Sequence, residues 1–460
     1  MPATTAAGAT PRAAPWSQPF QVMAKPVGAR CNLQCRYCYY LEKEPAFYPG
    51  AGVPRMSDET LEKFVRDYLV SQPGAEVAFA WQGGEPTLAG LPFFERALEH
   101  QRHYGAGRRI VNSLQTNGTS LDDVWGDFLA RNHFLVGLSL DGPRTMHDGY
   151  RLDRGGRPTW EKVMRGLRVL KKHRVEFNTL TVVHRRNYRH ALEVYDFLRE
   201  SGSGFMQFIP LVELQPSAAE KACRLDHGQP VEEPAGLIPP EGVKTAVAAE
   251  CAPPEGFGEF LCTIFDRWVR RDVGRVFVQH FDVALNAWVG RMPPLCVFQE
   301  RCGRALVLEH NGDLYACDHF VFPRHRLGNV HQTPLADLGN DPATARFGAA
   351  KANLPRVCLD CPVRFACNGD CPKHRFVSSG PGGSGVSHLC ASYRRFFTHI
   401  DPVMRRMAAL VLAGRPADEV MARSGQPPQP DLTTKHTKDT KGGKGRVAGN
   451  GRESDSPHRH

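Results

Sequence analysis

Eleven of the fourteen cysteines in this chain of 460 residues fall into two sets, at residues 31–38 and 296–390. Clustered thiols in a large chain without a secretion signal more often bind metal than form disulfides. Residues 1–19 contain no apolar segment of signal-peptide length, and no apolar run reaches the roughly 18 residues that a membrane span needs. We therefore expect a soluble, cytoplasmic protein with no membrane span, organised around metal-binding cysteines.

Strand-like and helix-like segments alternate through the first half of the chain. Helix-like segments separate the strands, and the first of them, 57–72, has Ser57 as its expected N-cap. This alternation predicts an α/β fold with a parallel sheet and helical crossovers, here an incomplete barrel. The six strand-like segments are residues 20–26, 76–81, 110–116, 134–140, 175–183 and 205–211.

Four motifs follow the first four of these strands. They are the cysteine loop at 31–38, then Gly-Gly-Glu-Pro at 83–86, Gln-Thr-Asn-Gly at 115–118 and Asp-Gly-Pro at 141–143. Active sites of such barrels lie at the carboxyl ends of the strands. The shared placement therefore predicts that the four motifs contribute to one site.

The first cysteine set has the spacing CxxxCxxC, at Cys31, Cys35 and Cys38. Three thiolates on a short loop can ligate three irons of a four-iron cluster, which leaves the fourth iron open to a small chelating molecule. The alternative is a structural zinc site, but such sites are normally closed by four ligands.

This segment, together with Gly83-Gly84-Glu85-Pro86, resembles the radical S-adenosylmethionine superfamily over roughly residues 18–215. The resemblance implies a partial (β/α)6 barrel, a 4Fe-4S cluster on the three cysteines, and S-adenosylmethionine as the cosubstrate that yields a 5′-deoxyadenosyl radical. It also implies cosubstrate contacts from Tyr37, Gly84, Ser139, Arg151 and Val212.

The second cysteine set contains eight residues, enough for two four-cysteine sites. Spacing alone leaves zinc and iron–sulfur clusters both open. The pattern resembles the SPASM domain of peptide-modifying radical enzymes, which implies two auxiliary 4Fe-4S clusters and three clusters in total. The implied ligands are Cys296, Cys302, Cys317 and Cys371 for the first auxiliary cluster, and Cys358, Cys361, Cys367 and Cys390 for the second.

Longer segments, among them WQGGEPTLAGLPFFE and ACDHFVFPRHRLGNV, resemble the anaerobic sulfatase-maturating enzymes. That resemblance implies oxidation of a Cys or Ser residue of an unfolded or nascent sulfatase to Cα-formylglycine. It also implies an electron donor such as a ferredoxin or flavodoxin. The family's catalytic Asp lies in a YFDG-like segment, which His280-Phe281-Asp282-Val283 matches except for Val283. Asp282 is therefore the expected base, with a helix N-cap as its alternative role.

Two other functions stay open at this point. One is a maturase of the same architecture that forms thioether or carbon–carbon crosslinks, and the other is a non-catalytic zinc protein. Tyr40 is expected either to contact the substrate peptide or to belong to the core. Nucleic acid is not an expected partner, because the basic residues behind the net charge of +10 are scattered along the chain.

The domain organisation follows from these patterns. We expect a disordered leader, the barrel, a connecting segment with helices, the SPASM domain, a closing helix and a disordered basic tail. The corresponding boundaries are 1–17, 18–235, 236–292, 293–397, 398–422 and 423–460. Whether Cys or Ser is oxidised, and in which sulfatase, does not follow from the sequence.

Overall fold

A single ten-stranded sheet organises the computed structural model, which describes residues 19–41, 43, 54–215, 246–379 and 385–423. Six of its strands are parallel and lie side by side in chain order, as the alternating pattern predicts. These strands are β1 (Gln21–Ala24), β2 (Glu76–Trp81), β3 (Arg109–Thr116), β4 (Leu135–Ser139), β5 (Phe177–Val183) and β6 (Phe205–Pro210).

Helices connect the parallel strands. The side chain of Ser57 accepts a hydrogen bond from the backbone N–H of Thr60 and caps the first helix, as expected. The helices of the first half are α1 (Asp58–Ser71), α2 (Leu91–Tyr104), α3 (Asp123–Arg131), α4 (Arg144–His147), α5 (Trp160–Lys172) and α6 (Ala191–Glu200). The patterns did not predict α3 and α4, which are short.

The core lies between the sheet and these helices. The apolar residues of α1 recur at helical spacing, so Leu61, Phe64 and Tyr68 face the sheet and are buried. There they pack against Phe79 and Trp81, whose side chains alternate with exposed ones along β2. This aromatic packing fixes the position of β2, and with it the glycine-rich turn that follows the strand.

The cysteine-rich region extends the same sheet. The first strand of this region pairs in parallel with β1. Two antiparallel strands follow it, and a turn at Asn311-Gly312 joins the first strand to the second. Small β-strands and helices complete the second half. They are β7 (Leu214–Gln215), β8 (Ala246–Val247), α7 (Gly256–Trp268), β9 (Phe277–Val278), α8 (Gln279–Trp288), β10 (Ala305–Leu308), β11 (Asp313–Tyr315), β12 (Arg326–Asn329), α9 (Leu335–Gly339), α10 (Pro342–Ala350), α11 (Arg356–Leu359), α12 (Arg364–Cys367) and α13 (Cys390–Leu412).

The closing helix differs from the prediction of 398–422. It begins at Cys390 and ends at Leu412, because Tyr393, Phe397 and Ile400 already carry the apolar spacing that buries one helical face. Pro402 lies inside the helix without ending it.

Some predictions fall outside the described residues. These are the leader, residues 216–245 around the boundary between the barrel and the connecting segment, and nearly all of the basic tail. The domain boundaries remain predictions. No helix among the described residues is long and apolar enough to cross a membrane.

Candidate active site

A row of polar side chains lies at the carboxyl ends of neighbouring strands. Lys25 follows β1 and is only 1% exposed. Its ammonium donates to Oδ1 of Asp318 at 2.5 Å and to Oε1 of Gln82, which follows β2, at 2.6 Å. Gln82 in turn donates to Oε1 of Gln115 on β3 at 2.8 Å. We call Asp318, Lys25, Gln82 and Gln115 the polar row, which crosses the mouth of the partial barrel.

Asp318 is the charged end of the polar row, and it directly follows Cys317. Burial raises the pKa of Asp318, but the ammonium of Lys25 and other nearby cations outweigh that effect and hold the pKa below its ordinary value. The carboxylate is therefore ionised at neutral pH and accepts hydrogen bonds from its neighbours.

The cysteine loop is tied to the polar row by two tyrosines. The hydroxyl of Tyr39 donates to Oδ2 of Asp318, and that of Tyr40 donates to the buried Glu309, which follows β10. The ammonium of Lys43 lies 4.8 Å from the centre of the Tyr40 ring, and burial lowers its pKa to about 8. The buried hydroxyl of Tyr40 is thus held by Glu309, and the loop sits directly above Asp318.

The three thiols of the first set lie close enough to affect one another. The pKa of Cys31 is raised to about 12, mainly by burial and also by Glu85, Cys35 and Cys38. Burial likewise raises the pKa of Cys35 to about 12. Coordination deprotonates such thiols, so proton release would accompany cluster binding.

The glycine-rich turn packs against the segment that leads into the cysteine loop. The amide of Gly84 donates to the carbonyl of Gly28 at 2.8 Å, and that of Glu85 donates to the carbonyl of Arg30 at 2.8 Å. A Cβ atom on Gly84 would lie 1.9 Å from the Arg30 carbonyl oxygen, so only glycine allows this approach. The turn therefore fixes the path of the chain just before Cys31.

Asn117 and Glu85 complete the support of the loop. The carboxylate of Glu85 accepts hydrogen bonds from Thr116 Oγ1 at 2.7 Å and from the Asn117 amide at 2.8 Å. The Asn117 side chain donates to Oδ1 of Asn32 at 2.8 Å and lies 3.8 Å from Sγ of Cys31. Asn117 therefore has a role at the site beyond that of a turn residue.

Replacing Gly84 by Ala should prevent normal assembly of the first cluster. The added methyl group meets backbone atoms, which cannot move aside as the end of a side chain would. We expect Gly84→Ala to lose most of the iron bound at Cys31, Cys35 and Cys38, measured as iron content and by electron paramagnetic resonance. The matched control is Gly204→Ala, where an added Cβ meets nothing within 4 Å. Equal iron content in both variants would contradict the prediction.

A second buried network lies on the other side of the cysteine loop. Asp141, which follows β4 and is fully buried, accepts hydrogen bonds from Nε of Arg151 at 2.9 Å, from the Tyr37 hydroxyl and from the Val182 amide at 3.0 Å. Burial raises the pKa of Asp141, but Arg151 and nearby histidines such as His184 outweigh it and hold the pKa below its ordinary value. We call these residues the Asp141 network.

Arg151 has two terminal nitrogens available to a ligand. Among the described residues, its side-chain hydrogen bonds use only Nε. Its guanidinium carbon lies 5.5 Å from the centre of the Tyr37 ring, which places it beside the cysteine loop. Such a guanidinium can donate to a carboxylate, and its contact with S-adenosylmethionine remains a prediction.

The other predicted cosubstrate residues lie at the same edge of the sheet. Ser139 ends β4, Gly84 follows β2, and the buried Val212 follows β6. The structure therefore brings the predicted residues to the strand ends around the cysteine loop, and their donor chemistry fits the cosubstrate. Their individual contacts remain predictions.

The eight cysteines of the second set form two groups. The pKa of Cys317 is raised well above its ordinary value by burial and then by Cys371, Cys296 and Cys302, so these four lie together. The other four line one small pocket: Cys358, Cys361, Cys367 and Cys390. This is the interleaved division that the resemblance implies.

Two buried cations hold the loops of the second set. Lys351 donates to the carbonyls of Cys296, Val297 and Gln299, and Arg375 donates to four backbone carbonyls between Lys351 and Asp370. Among the described residues, no group of three or more His, Cys, Asp or Glu side chains is arranged to hold a single metal ion. The cluster assignment rests on the grouping of the thiols.

Asp282 lies apart from the hydrogen bonds of the polar row. It is the fourth residue of α8, so the alternative reading as an N-cap is wrong. Burial raises the pKa of Asp282 to about 7, and its Oδ2 atom has no hydrogen-bond partner among the described residues. Its role as base remains a prediction.

Sequence reasoning missed Lys25, Gln82 and Asp318 of the polar row, whereas the motifs at 115–118 and 141–143 already contained Gln115 and Asp141. The signal available was position: Gln82 directly follows a predicted strand, and Lys25 lies near the end of another. Asp318 gives a weaker signal, because only its place next to a predicted ligand marks it.

Two family models match the chain. One, described as the radical SAM superfamily, matches residues 26–198, and the other, SPASM, described as an iron–sulfur cluster-binding domain, matches residues 296–362. The first match contains the first cysteine set, and the second match contains part of the second set.

Several curated proteins are similar along most of their length. The chain is 44% identical to a serine-type anaerobic sulfatase-maturating enzyme of Bacteroides thetaiotaomicron, over 85% of this chain and 92% of that protein. It is 33% identical to a cysteine-type anaerobic sulfatase-maturating enzyme of Clostridium perfringens, over 85% of this chain and 98% of that protein.

Solved structures are similar as well. One described as native anSMEcpe with bound AdoMet and Cp18Cys peptide has a TM-score of 0.72 and 32% identity, covering 85% of this chain and 99% of that one. SuiB of Streptococcus suis bound to S-adenosylmethionine, at 14% identity and a TM-score of 0.54, shares the fold.

Proposed function

Because this chain belongs to the anaerobic sulfatase-maturating enzymes of the radical S-adenosylmethionine superfamily, we propose that it oxidises a Cys or Ser side chain of a sulfatase to Cα-formylglycine. The observation that carries the proposal is the connection between the two cysteine sets. The Tyr39 hydroxyl of the three-cysteine loop donates to Asp318, and Asp318 directly follows Cys317 of a four-cysteine group. Such an arrangement brings the sites for radical formation and electron removal close together.

The reaction removes two hydrogens from the substrate side chain. One leaves Cβ as a hydrogen atom, the other leaves the hydroxyl or thiol as a proton, and the remaining electron leaves separately. A Ser side chain becomes the aldehyde directly, whereas a Cys side chain becomes a thioaldehyde that water hydrolyses with release of hydrogen sulfide. When bound at Cys31, Cys35 and Cys38, the cluster with S-adenosylmethionine supplies the radical that takes the hydrogen atom.

Asp282 is the base in this proposal, because burial raises its pKa to about 7 and its Oδ2 atom has no hydrogen-bond partner among the described residues. Lys25 and the Tyr39 hydroxyl hold the ionised Asp318 carboxylate in one orientation. Gln82 and Gln115 extend the polar row and can hydrogen-bond a substrate backbone lying across the barrel mouth. The role of the row is to orient the peptide.

A cluster held by Cys296, Cys302, Cys317 and Cys371 would supply an acceptor for the electron. Cys317 directly precedes Asp318 in the chain, so this cysteine group adjoins the polar row. Nδ1 of His319 lies 3.4 Å from Sγ of Cys371, so a polar ring lies beside the first auxiliary group of four cysteines. An electron donor such as a ferredoxin or flavodoxin is part of the proposal, as is a cytoplasmic location, where thiols stay reduced.

Serine is the proposed substrate residue. Support comes from the higher identity to the serine-type relative, 44%, than to the cysteine-type one, 33%.

The test is anaerobic incubation of reconstituted enzyme with S-adenosylmethionine, a chemical reductant and two sulfatase-motif peptides that differ only in Ser or Cys. Radical oxidation removes about 2 Da from the Ser peptide and about 18 Da from the Cys peptide, read by mass spectrometry with 5′-deoxyadenosine as coproduct. We expect the loss from the Ser peptide. 5′-Deoxyadenosine without a mass change in either peptide would overturn the proposed function and leave a crosslinking maturase as the alternative.

A further inference from the structure

The surface of the cysteine-rich region exposes large apolar side chains. Met292 is 76% exposed, Val357 54% and Phe365 45%. Five of the eleven large apolar side chains that are exposed among the described residues lie between Met292 and Val377. Such a concentration marks a surface that meets another molecule.

Two cavities open on this surface, and each is lined by cysteines. The larger cavity, of 820 Å³, is lined by Met292, Phe365 and Cys302 of the first auxiliary set. The smaller one is lined by all four cysteines of the second auxiliary set together with Val357. Phe365 borders the first cavity and its neighbour Arg364 borders the second, so the two openings adjoin.

The cavities share a positive rim. Glu300 and Asp341 are the carboxylates that line them. The arginines outnumber these carboxylates, and we call them the arginine rim: Arg291, Arg301, Arg304, Arg364 and Arg394.

The charge of three of these five arginines is not neutralised by any residue that the structure describes. The side chains of Arg291, Arg301 and Arg394 make no ion pair or hydrogen bond with any residue that the structure describes. By contrast, the neighbouring Arg395 pairs with Glu259 at 2.6 Å. The rim thus combines free positive charge, exposed apolar groups and two openings onto cysteine sites.

We propose that the arginine rim is the docking surface for an acidic one-electron carrier protein, which exchanges electrons with the auxiliary cysteine sites. The inference rests on the proposed function, since it assumes that those sites hold iron–sulfur clusters. Transient redox complexes use small interfaces in which complementary charge steers the encounter. The five arginines fit an acidic partner, and the apolar side chains supply the contact once it has docked.

The electron balance of the exchange is simple. The anionic hydroquinone of a flavodoxin loses one electron and becomes the neutral semiquinone, so no proton is transferred. The electron reduces one four-iron cluster held by the auxiliary cysteines, and no bond to the protein forms or breaks.

The test measures electron transfer from photoreduced flavodoxin to the anaerobic holoenzyme by stopped-flow at several salt concentrations. We expect the triple variant Arg291→Gln, Arg301→Gln, Arg394→Gln to lower the second-order rate constant about tenfold at low salt and to flatten its salt dependence. The control triple, Arg131→Gln, Arg165→Gln, Arg168→Gln, removes exposed arginines from α3 and α5 and should match the wild type.

Iron content and electron paramagnetic resonance spectra establish that both triple variants carry their clusters. Peptide oxidation driven by a chemical reductant does not need the carrier, so it should be equal in all three proteins and tests the proposed function separately. A rim variant whose rate constant and salt dependence equal those of the wild type would overturn the docking surface, whatever the peptide assay shows.

Discussion

Asp282→Asn is expected to lower peptide oxidation by about 10²- to 10⁴-fold, the usual effect of losing a general base. Asn keeps the shape of the side chain, but it cannot take a proton from the substrate hydroxyl. Formation of 5′-deoxyadenosine should continue, because the cysteine loop and the Asp141 network are unchanged. The measurement is single-turnover mass spectrometry of the peptide beside quantification of 5′-deoxyadenosine.

Asp318→Asn is the matched comparison, because Asp318 is the carboxylate of the polar row and is held ionised by Lys25. With Asp282 as the base, its pKa of about 7 makes activity rise with pH through neutrality, since only the ionised form accepts a proton. Asp318→Asn should retain more oxidation than Asp282→Asn. The opposite pair of results would reject Asp282, provided that both variants carry full iron content.

Asp141→Asn is expected to have the second largest effect. It leaves the buried Arg151 without its carboxylate partner, and breaking a buried ion pair from one side costs about 3–5 kcal/mol. Arg151 and Tyr37 both lose their anchor, so S-adenosylmethionine should bind at least tenfold more weakly, the equivalent of about 1.4 kcal/mol. Denaturant unfolding and equilibrium binding of the cosubstrate measure the two effects.

The pH dependence of the free energy of unfolding is a second measurement on Asp141→Asn. Because the folded-state pKa of Asp141 lies below its ordinary value of about 3.9, its stabilising contribution is present above that pH and is lost as the pH falls through the folded pKa. In Asp141→Asn, the free energy of unfolding should therefore not show this loss at acid pH. Asp123→Asn, in an exposed pair with Lys172, is the control and should change stability little. Unchanged cosubstrate affinity in Asp141→Asn would contradict the positioning role.

Local structure could be predicted from the sequence where one segment carries its own pattern. The strand at 76–81 has the predicted bounds, and Ser57 caps its helix because the cap involves residues only three positions apart. The cysteine groups were also predictable, since their spacing and the family resemblance point to the same sets.

The polar row could not be predicted, because it depends on which distant strands become neighbours. Lys25 and Asp318 are 293 positions apart, and they meet only because β10 pairs with β1. No periodicity within either segment specifies that pairing. Asp141 illustrates the same limit, since its partners Tyr37, Arg151 and Val182 come from three separate segments.

The parallel ladder between β1 and β10 also constrains how chimeras of such enzymes can be built. A crossover between α8 and β10 would join two halves that share one sheet, with Gln21 to Ala24 of one parent facing Ala305 to Leu308 of the other. Asp318 of one parent would then have to meet a lysine inherited from the other parent. Substrate range and electron route are therefore expected to be inherited together, as a single unit of exchange.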